Sequence, residues 1–139
     1  MEIEINKKKI HTEFLKNINS SEFSDYEKNT IEFCNQWLSG KESFTVQTSG
    51  STGEPKQIHI KREQMIASAK QTAKALNLKK GYKALVCLST EHIAGIMMIV
   101  RCLTVKMDMV IINPVANPLQ NFSEKYFFDF AAFVPIQLS

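Results

Sequence analysis

The sequence contains few cysteines and no long apolar run. Its three cysteines, Cys34, Cys87 and Cys102, are odd in number and widely spaced, which predicts buried thiols and argues against a disulfide framework or a paired-cysteine metal site. The longest apolar run, residues 93–100, is much shorter than the roughly 20 residues that cross a bilayer. The first residues lack the apolar segment of a secretory signal, so we expect a cytoplasmic protein without membrane insertion.

Signatures of several catalytic classes are also missing. No serine occupies a Gly-x-Ser-x-Gly elbow at the required spacing, and no paired acidic residues occur at metal-ligand or acid–base spacing. We therefore predict no metal site within these residues. The composition that remains, 139 residues with 44% hydrophobic and 22% charged side chains, is typical of one globular unit that can bury a core.

The net charge of +3 conceals a basic segment between Lys56 and Lys83, which holds eight basic residues and one acid. Such a segment can attract nucleic acid. At least half of these residues, however, fall at helical spacing on a face that the pattern predicts to be solvated. We expect no nucleic-acid partner, although a non-catalytic phosphate- or nucleic-acid-binding module stays open as an alternative.

Residues 44–60, FTVQTSGSTGEPKQIHI, are the most informative stretch of the chain. Phe44 and Val46 alternate with polar residues, as do Ile58 and Ile60, and a period of two predicts a strand on each side of the loop. The loop from Ser49 to Pro55 therefore lies at the rim of a sheet.

The composition of this loop suits a polyphosphate. Two glycines let the backbone approach a ligand, and hydroxyl donors and one cation surround them. The residues concerned are Thr48, Ser49, Gly50, Ser51, Thr52, Gly53 and Lys56. The loop is not the common P-loop, because Pro55 stands where that pattern requires its second glycine. An ordinary Ser/Gly hairpin loop is the alternative reading.

The remaining patterns predict an α/β fold. Met1–Ile5 reads as a short edge strand, followed by a charged turn at Lys7–Lys9. Ser24 and Glu27 form a capping-box pattern before an apolar helical stripe that includes Phe33 and Trp37 and should belong to the core. Further along, we predict helices over 63–78 and 91–106 and strands over 83–88, 108–112 and 127–134. The strand, helix and strand between 83 and 112 should form a right-handed parallel crossover.

His92 lies between the end of a predicted strand and the start of a helix, where open parallel sheets form ligand crevices. Ser89 or Thr90 could cap that helix, and His92 is a site candidate because of its position. A capping or packing role for His92 is equally compatible with its position. His59 faces away from the core by alternation, and His11 has no partner in its segment.

The string TSGSTGEPK resembles the phosphate-binding motif of the adenylate-forming superfamily, which includes acyl-CoA synthetases, luciferases and adenylation domains. By this resemblance, the loop residues listed above bind the ATP phosphates, and Lys56 and His92 are the catalytic candidates. His92 and Gly95 match a histidine and glycine beside the acyl pocket of acyl-CoA synthetases. The resemblance implies the N-terminal part of the large domain: a partial layered sheet with helices on both faces. Residues 1–139 would form one unit, with a lead-in over 1–43, the phosphate-binding hairpin over 44–60 and a βαβ-type core over 61–139.

Within the superfamily, the chain is similar to the o-succinylbenzoate CoA ligases of menaquinone biosynthesis. The similarity rests on the short lead-in and on the segments EHIAGIMMIVRCL, KMDMVIINPVANPL and FAAFVPIQL. Such an enzyme adenylates a carboxylate with ATP and Mg²⁺ and then transfers the acyl group to coenzyme A. Another acyl-CoA synthetase or an adenylation domain is the alternative. The adenine, ribose and main Mg²⁺-binding segments and the catalytic lysine domain are not found, so we expect an incomplete fragment that forms no acyl-adenylate alone.

Four phenylalanines near the end of the chain should lack part of their cover. These are Phe127, Phe128, Phe130 and Phe133. Exposed aromatic side chains next to a sheet edge favour association, so either self-association of the chain or an altered packing of these rings is expected.

Overall fold

The structure, a computed structural model, describes residues 1–48, 54, 56–120, 122, 127–133 and 137. The strands are β1 (Glu2–Ile5), β2 (Lys8–His11), β3 (Ser43–Gln47), β4 (Gln57–Lys61), β5 (Lys83–Val86), β6 (Asp108–Ile111) and β7 (Phe130–Ala131). The α-helices are α1 (Asp25–Leu38), α2 (Arg62–Leu76) and α3 (Ile93–Val105), and two 3₁₀ turns span Thr12–Asn17 and Ser20–Glu22.

Five strands form the main sheet in the order β2-β1-β6-β5-β7, in which only β1 and β2 are antiparallel. The prediction that β1 is an edge strand was wrong. It lies inside the sheet, parallel to β6, and Ile3 and Ile5 are fully buried because they face the core. The predicted charged turn is also shorter: Asn6 and Lys7 turn with positive φ angles of 51° and 62°, and β2 begins at Lys8.

The predicted strand–helix–strand unit is present as β5, α3 and β6, and its two strands are parallel with Ala84 opposite Met109. Helix α3 begins at Ile93, later than predicted, and His92 is its N-cap residue. Helix α2 packs on the core along only part of its length. Met65 is buried, whereas Leu76 is 54% exposed because the last turn of the helix extends past the core.

Helix α1 has the predicted capping box. The Ser24 side chain accepts a hydrogen bond from the Glu27 backbone N–H, and the Glu27 carboxylate accepts one from the Ser24 N–H at 2.8 Å. The apolar stripe of α1 is core, as predicted: Trp37 stacks on Phe44 with ring centroids 5.7 Å apart, and both rings are buried. This contact joins α1 to the β3–β4 hairpin.

Two apolar clusters lie on opposite faces of the main sheet, which confirms the α/β class. The larger contains side chains from all three helices and residues such as Val86 and Ile111 of the sheet. The smaller is built on Leu85, Cys87 and Val110, and among the described residues it is covered by Ile112, Phe122, Phe128, Ala131 and Phe133. The three cysteines are buried and free, as predicted.

The last predicted strand is reduced to the two residues of β7, which pair with β5. Residue 134, within the predicted strand, lies outside the described residues. Phe127 is 71% exposed, and Phe128, Phe130 and Phe133 are half-buried. The cover of these rings is therefore incomplete, while self-association stays a prediction. No helix in the described part of the chain is long and apolar enough to span a membrane.

Candidate functional site

The phosphate-loop candidate is held on a separate two-stranded hairpin made of β3 and β4. Phe44 pairs with Ile60 and Val46 with Ile58, so alternate side chains of both strands face the core, as the period of two predicts. His59 faces outward, and its Nδ1 lies 2.8 Å from the Thr45 hydroxyl.

The two described residues at the ends of the loop are adjacent. The Thr48 N–H donates to the carbonyl of Lys56 at 2.9 Å, and the Thr48 hydroxyl lies 3.4 Å from the same oxygen. Lys56 is exposed at this point. The other predicted phosphate-binding residues, Ser49, Gly50, Ser51, Thr52 and Gly53, lie outside the described residues, as does Pro55. Their role therefore stays a prediction. The hydrogen bond between Thr48 and Lys56 shows that the two ends of the loop are held together at the end of the hairpin.

Arg62 anchors the opposite end of the hairpin, a role that the sequence did not indicate. Its N–H donates to the Glu42 carbonyl at 2.8 Å, and its guanidinium donates to the Trp37 carbonyl at 2.6 Å. The guanidinium also stacks over the Trp37 ring, 4.1 Å from its centroid. A planar cation on an aromatic face is a favourable arrangement for arginine. The basic segment is therefore not entirely exposed to solvent, because Arg62, one of its residues, joins the hairpin to α1.

The tertiary fold brings His92 next to this hairpin. Gln47, the last residue of β3, forms a single parallel bridge with His92, so the N-terminus of α3 lies beside the phosphate-loop candidate. Although His92 is the N-cap residue, its side chain makes no capping hydrogen bond. Its Nδ1 is buried and has no partner within the part of the chain that the structure describes. The His92 side chain therefore does not cap α3, and its Nδ1 is a hydrogen-bonding group that a ligand could satisfy.

Gly95 lies against the backbone of the segment before α3. A Cβ at this position would meet the Ser89 carbonyl oxygen at 2.0 Å and the Leu88 carbonyl oxygen at 3.1 Å. The close approach explains why residue 95 is glycine without reference to a ligand. The acyl-pocket role that the resemblance implies for Gly95 stays a prediction, and the packing role was missed at the sequence level because Ser89 is six positions away.

A cleft of about 480 Å³ lies between α1, the hairpin and the N-terminal side of α3. It is lined by Phe33, Gln36, Lys41, Phe44, Thr45, Val46, Gln47, Gln57, Thr90, Glu91 and Ile96. Gln47 and Gln57 are part of this lining, so the cleft reaches the end of the hairpin at which residues 48–56 connect the two strands. Its lining combines amides and hydroxyls with an apolar wall, a composition suited to a small polar ligand.

Among the described residues, no three histidine, cysteine or acidic side chains are grouped closely enough to hold a metal ion. Within the part of the chain that the structure describes, we therefore assign no side chain to an Mg²⁺ ion.

The α/β fold and the motif TSGSTGEPK are shared with a family of enzymes. A family model described as "AMP-binding enzyme" matches residues 7–138, and the chain belongs to this family. The resemblance inferred from TSGSTGEPK is thereby confirmed at the level of the family.

Among solved structures, the chain is similar to an acyl-CoA synthetase (AMP-forming)/AMP-acid ligase II-like protein from Dyadobacter fermentans DSM 18053. The two share 40% sequence identity with a TM-score of 0.82 over 93% of this chain. The match spans 36% of the length of that protein. A comparison with curated proteins found no significant match.

Proposed function

We propose that residues 48–56 bind the phosphates of ATP. The closed Thr48–Lys56 pair brings the ends of a loop rich in glycine and hydroxyl groups together, and the exposed Lys56 supplies a cation beside it. Convergent backbone N–H groups form anion-binding concavities, and each hydrogen bond to a charged group contributes roughly 1.5–3 kcal/mol. Several such contacts would hold a triphosphate.

We further propose that the chain contributes this site to an ATP-dependent acid–thiol ligase. The observation that carries the proposal is the bridge between Gln47 and His92, because it joins the phosphate-loop candidate to the histidine candidate. Lys56 and the loop donors would stabilise the charge that develops as pyrophosphate leaves, which is electrostatic stabilisation without covalent catalysis. His92, whose Nδ1 has no partner among the described residues, would contact the carboxylate that becomes adenylated. Coenzyme A would then accept the acyl group.

For the substrate we propose o-succinylbenzoate, within menaquinone biosynthesis in the cytoplasm. Three segments similar to those ligases support this assignment: EHIAGIMMIVRCL, KMDMVIINPVANPL and FAAFVPIQL. Identity of 40% to an AMP-forming acyl-CoA synthetase supports the broader class, in which another acyl carboxylate is the alternative. We propose ATP as its Mg²⁺ complex, with the main metal ligand outside these residues. The isolated chain should catalyse no carboxylate-dependent pyrophosphate exchange.

The test is calorimetric titration of Mg-ATP into the wild-type chain and into Lys56→Ala. Loss of one charge-assisted hydrogen bond, roughly 1.5–3 kcal/mol, should weaken binding by about 10- to 100-fold. Lys70→Ala is the matched control, because Lys70 is an exposed lysine on α2 and should leave the affinity unchanged. Equal affinity in wild type and Lys56→Ala would refute the phosphate site.

A parallel titration with a short DNA duplex at two salt concentrations distinguishes the ATP site from the alternative, a nucleic-acid-binding module. Duplex affinity that falls steeply with salt and is unaffected by Lys56→Ala would favour a nucleic-acid-binding module, since phosphate contacts release counterions.

A further inference from the structure

The His92 turn, residues 88–92, connects β5 to α3 and is held by helix α1 from the lead-in segment. The Tyr26 hydroxyl donates to the carbonyl of Leu88 at 3.0 Å, across 62 positions of sequence. Leu88 itself is buried, and Tyr26 is half-buried. A hydrogen bond in this setting fixes the start of the turn relative to α1, because leaving the Leu88 carbonyl unpaired would be costly.

A second hydroxyl on α1 extends the contact. Thr30 is fully buried, and its hydroxyl donates to the Tyr26 carbonyl at 2.8 Å. The Thr30 hydroxyl oxygen also lies 3.4 Å from the hydroxyl oxygen of Thr90, within the turn. One turn of α1 thus contacts the His92 turn at both Leu88 and Thr90.

On its other side, the turn packs closely against the first residues of α3. Gly95 already touches the Ser89 carbonyl, and any side chain larger than hydrogen would clash there. On the hairpin side, His92 is bridged to Gln47. The turn therefore contacts α1, α3 and β3, and the shorter of its two hydrogen bonds to α1 comes from Tyr26.

We propose that Tyr26 is a positioning residue, whose hydroxyl sets the placement of His92 relative to Gln47 at the end of β3 by holding the Leu88 carbonyl. The lead-in segment, in which the sequence reveals no chemistry, would then be part of the functional site. This proposal rests on the ATP-dependent function proposed above. Burial raises the pKa of the Tyr26 hydroxyl, so it stays a donor throughout the working pH range.

The test uses Tyr26→Phe, which removes the hydroxyl and retains the ring. Tyr82→Phe is the matched control: Tyr82 is also half-buried, and no hydrogen bond of its hydroxyl occurs among the described residues. Ring ¹H–¹³C spectra of histidine report the result, because the chain has three histidines and two of them, His11 and His59, are exposed and serve as internal references. Spectra are recorded without ligand and with Mg-ATP.

We expect Tyr26→Phe to shift the His92 resonance in the ligand-free chain and to reduce its response to Mg-ATP. The His11 and His59 resonances and the affinity for Mg-ATP should match those of wild type, since the hairpin is untouched. Thr30→Val, which retains the Tyr26 hydroxyl, should give a smaller shift of the same resonance.

An unchanged His92 resonance in Tyr26→Phe would overturn the proposal. Movement of all three histidine resonances together with a lower unfolding midpoint would also overturn it, because that result indicates a general structural role. If the wild-type chain fails to bind Mg-ATP, the proposed function fails, yet the ligand-free spectra still decide whether Tyr26 positions His92.

Discussion

Gly95→Ala tests whether the close contact at the start of α3 is as restrictive as its geometry indicates. An added Cβ would lie 2.0 Å from the Ser89 oxygen, whereas ordinary van der Waals contact begins at 3.4 Å. The turn would have to retreat by about 1.4 Å. The clashing atom belongs to the backbone, so rotation of a side chain cannot relieve the clash. The preceding carbonyl, that of Leu88, is also held by a hydrogen bond from Tyr26.

Two opposing effects determine the magnitude. Alanine in place of glycine favours a helix by at most about 1 kcal/mol, and less in the first turn. Forcing an extra methyl into a packed site costs roughly 1–3 kcal/mol. We therefore expect a net loss of roughly 1–2 kcal/mol in the free energy of unfolding. The histidine spectra should also show a displaced His92 resonance, because the turn that carries it must move.

Urea denaturation followed by tryptophan fluorescence is a suitable assay, since the chain has one tryptophan, in the core. Gly81→Ala is the control. Its φ of +86° strains an alanine, but no atom of the described residues lies within 4 Å of the added Cβ, so it should cost roughly 1 kcal/mol while leaving His92 unaffected. A Gly95→Ala chain with a midpoint equal to or above wild type would refute the packing argument.

Two further predictions concern the contacts of Arg62 and the three cysteines. Arg62→Ala should lower the free energy of unfolding by roughly 2 kcal/mol, because it removes the cation over the Trp37 ring and a hydrogen bond to its carbonyl. Arg62→Lys should recover only part of this loss, and an unchanged urea midpoint in Arg62→Ala would contradict the anchoring role. Burial raises the pKa of Cys34 to about 12 and that of Cys87 to about 11, and it also raises the pKa of Cys102. At pH 8 all three thiols should therefore resist a disulfide reagent in the native chain and react in urea. Rapid labelling of any of them in the native state would show that the core is open.

The sequence by itself determined the local elements. The capping box at Ser24 and Glu27 predicted where α1 begins, because its two hydrogen bonds depend only on residues three apart. Alternation at Phe44 and Val46 predicted the hairpin strand and its buried face, since successive strand side chains point to opposite sides. The motif between the strands identified the family, which the family comparison confirms over residues 7–138.

Only the tertiary structure decided which elements meet. A strand pattern of four residues does not specify its neighbours, so the place of β1 beside β6 could not be read from Ile3 and Ile5. The bridge from Gln47 to His92 and the hydrogen bond from Tyr26 to Leu88 each join residues more than forty positions apart. Such contacts arise from the packing of whole elements. They unite the hairpin, the His92 turn and the lead-in helix into one candidate site, although the sequence shows them as three separate segments.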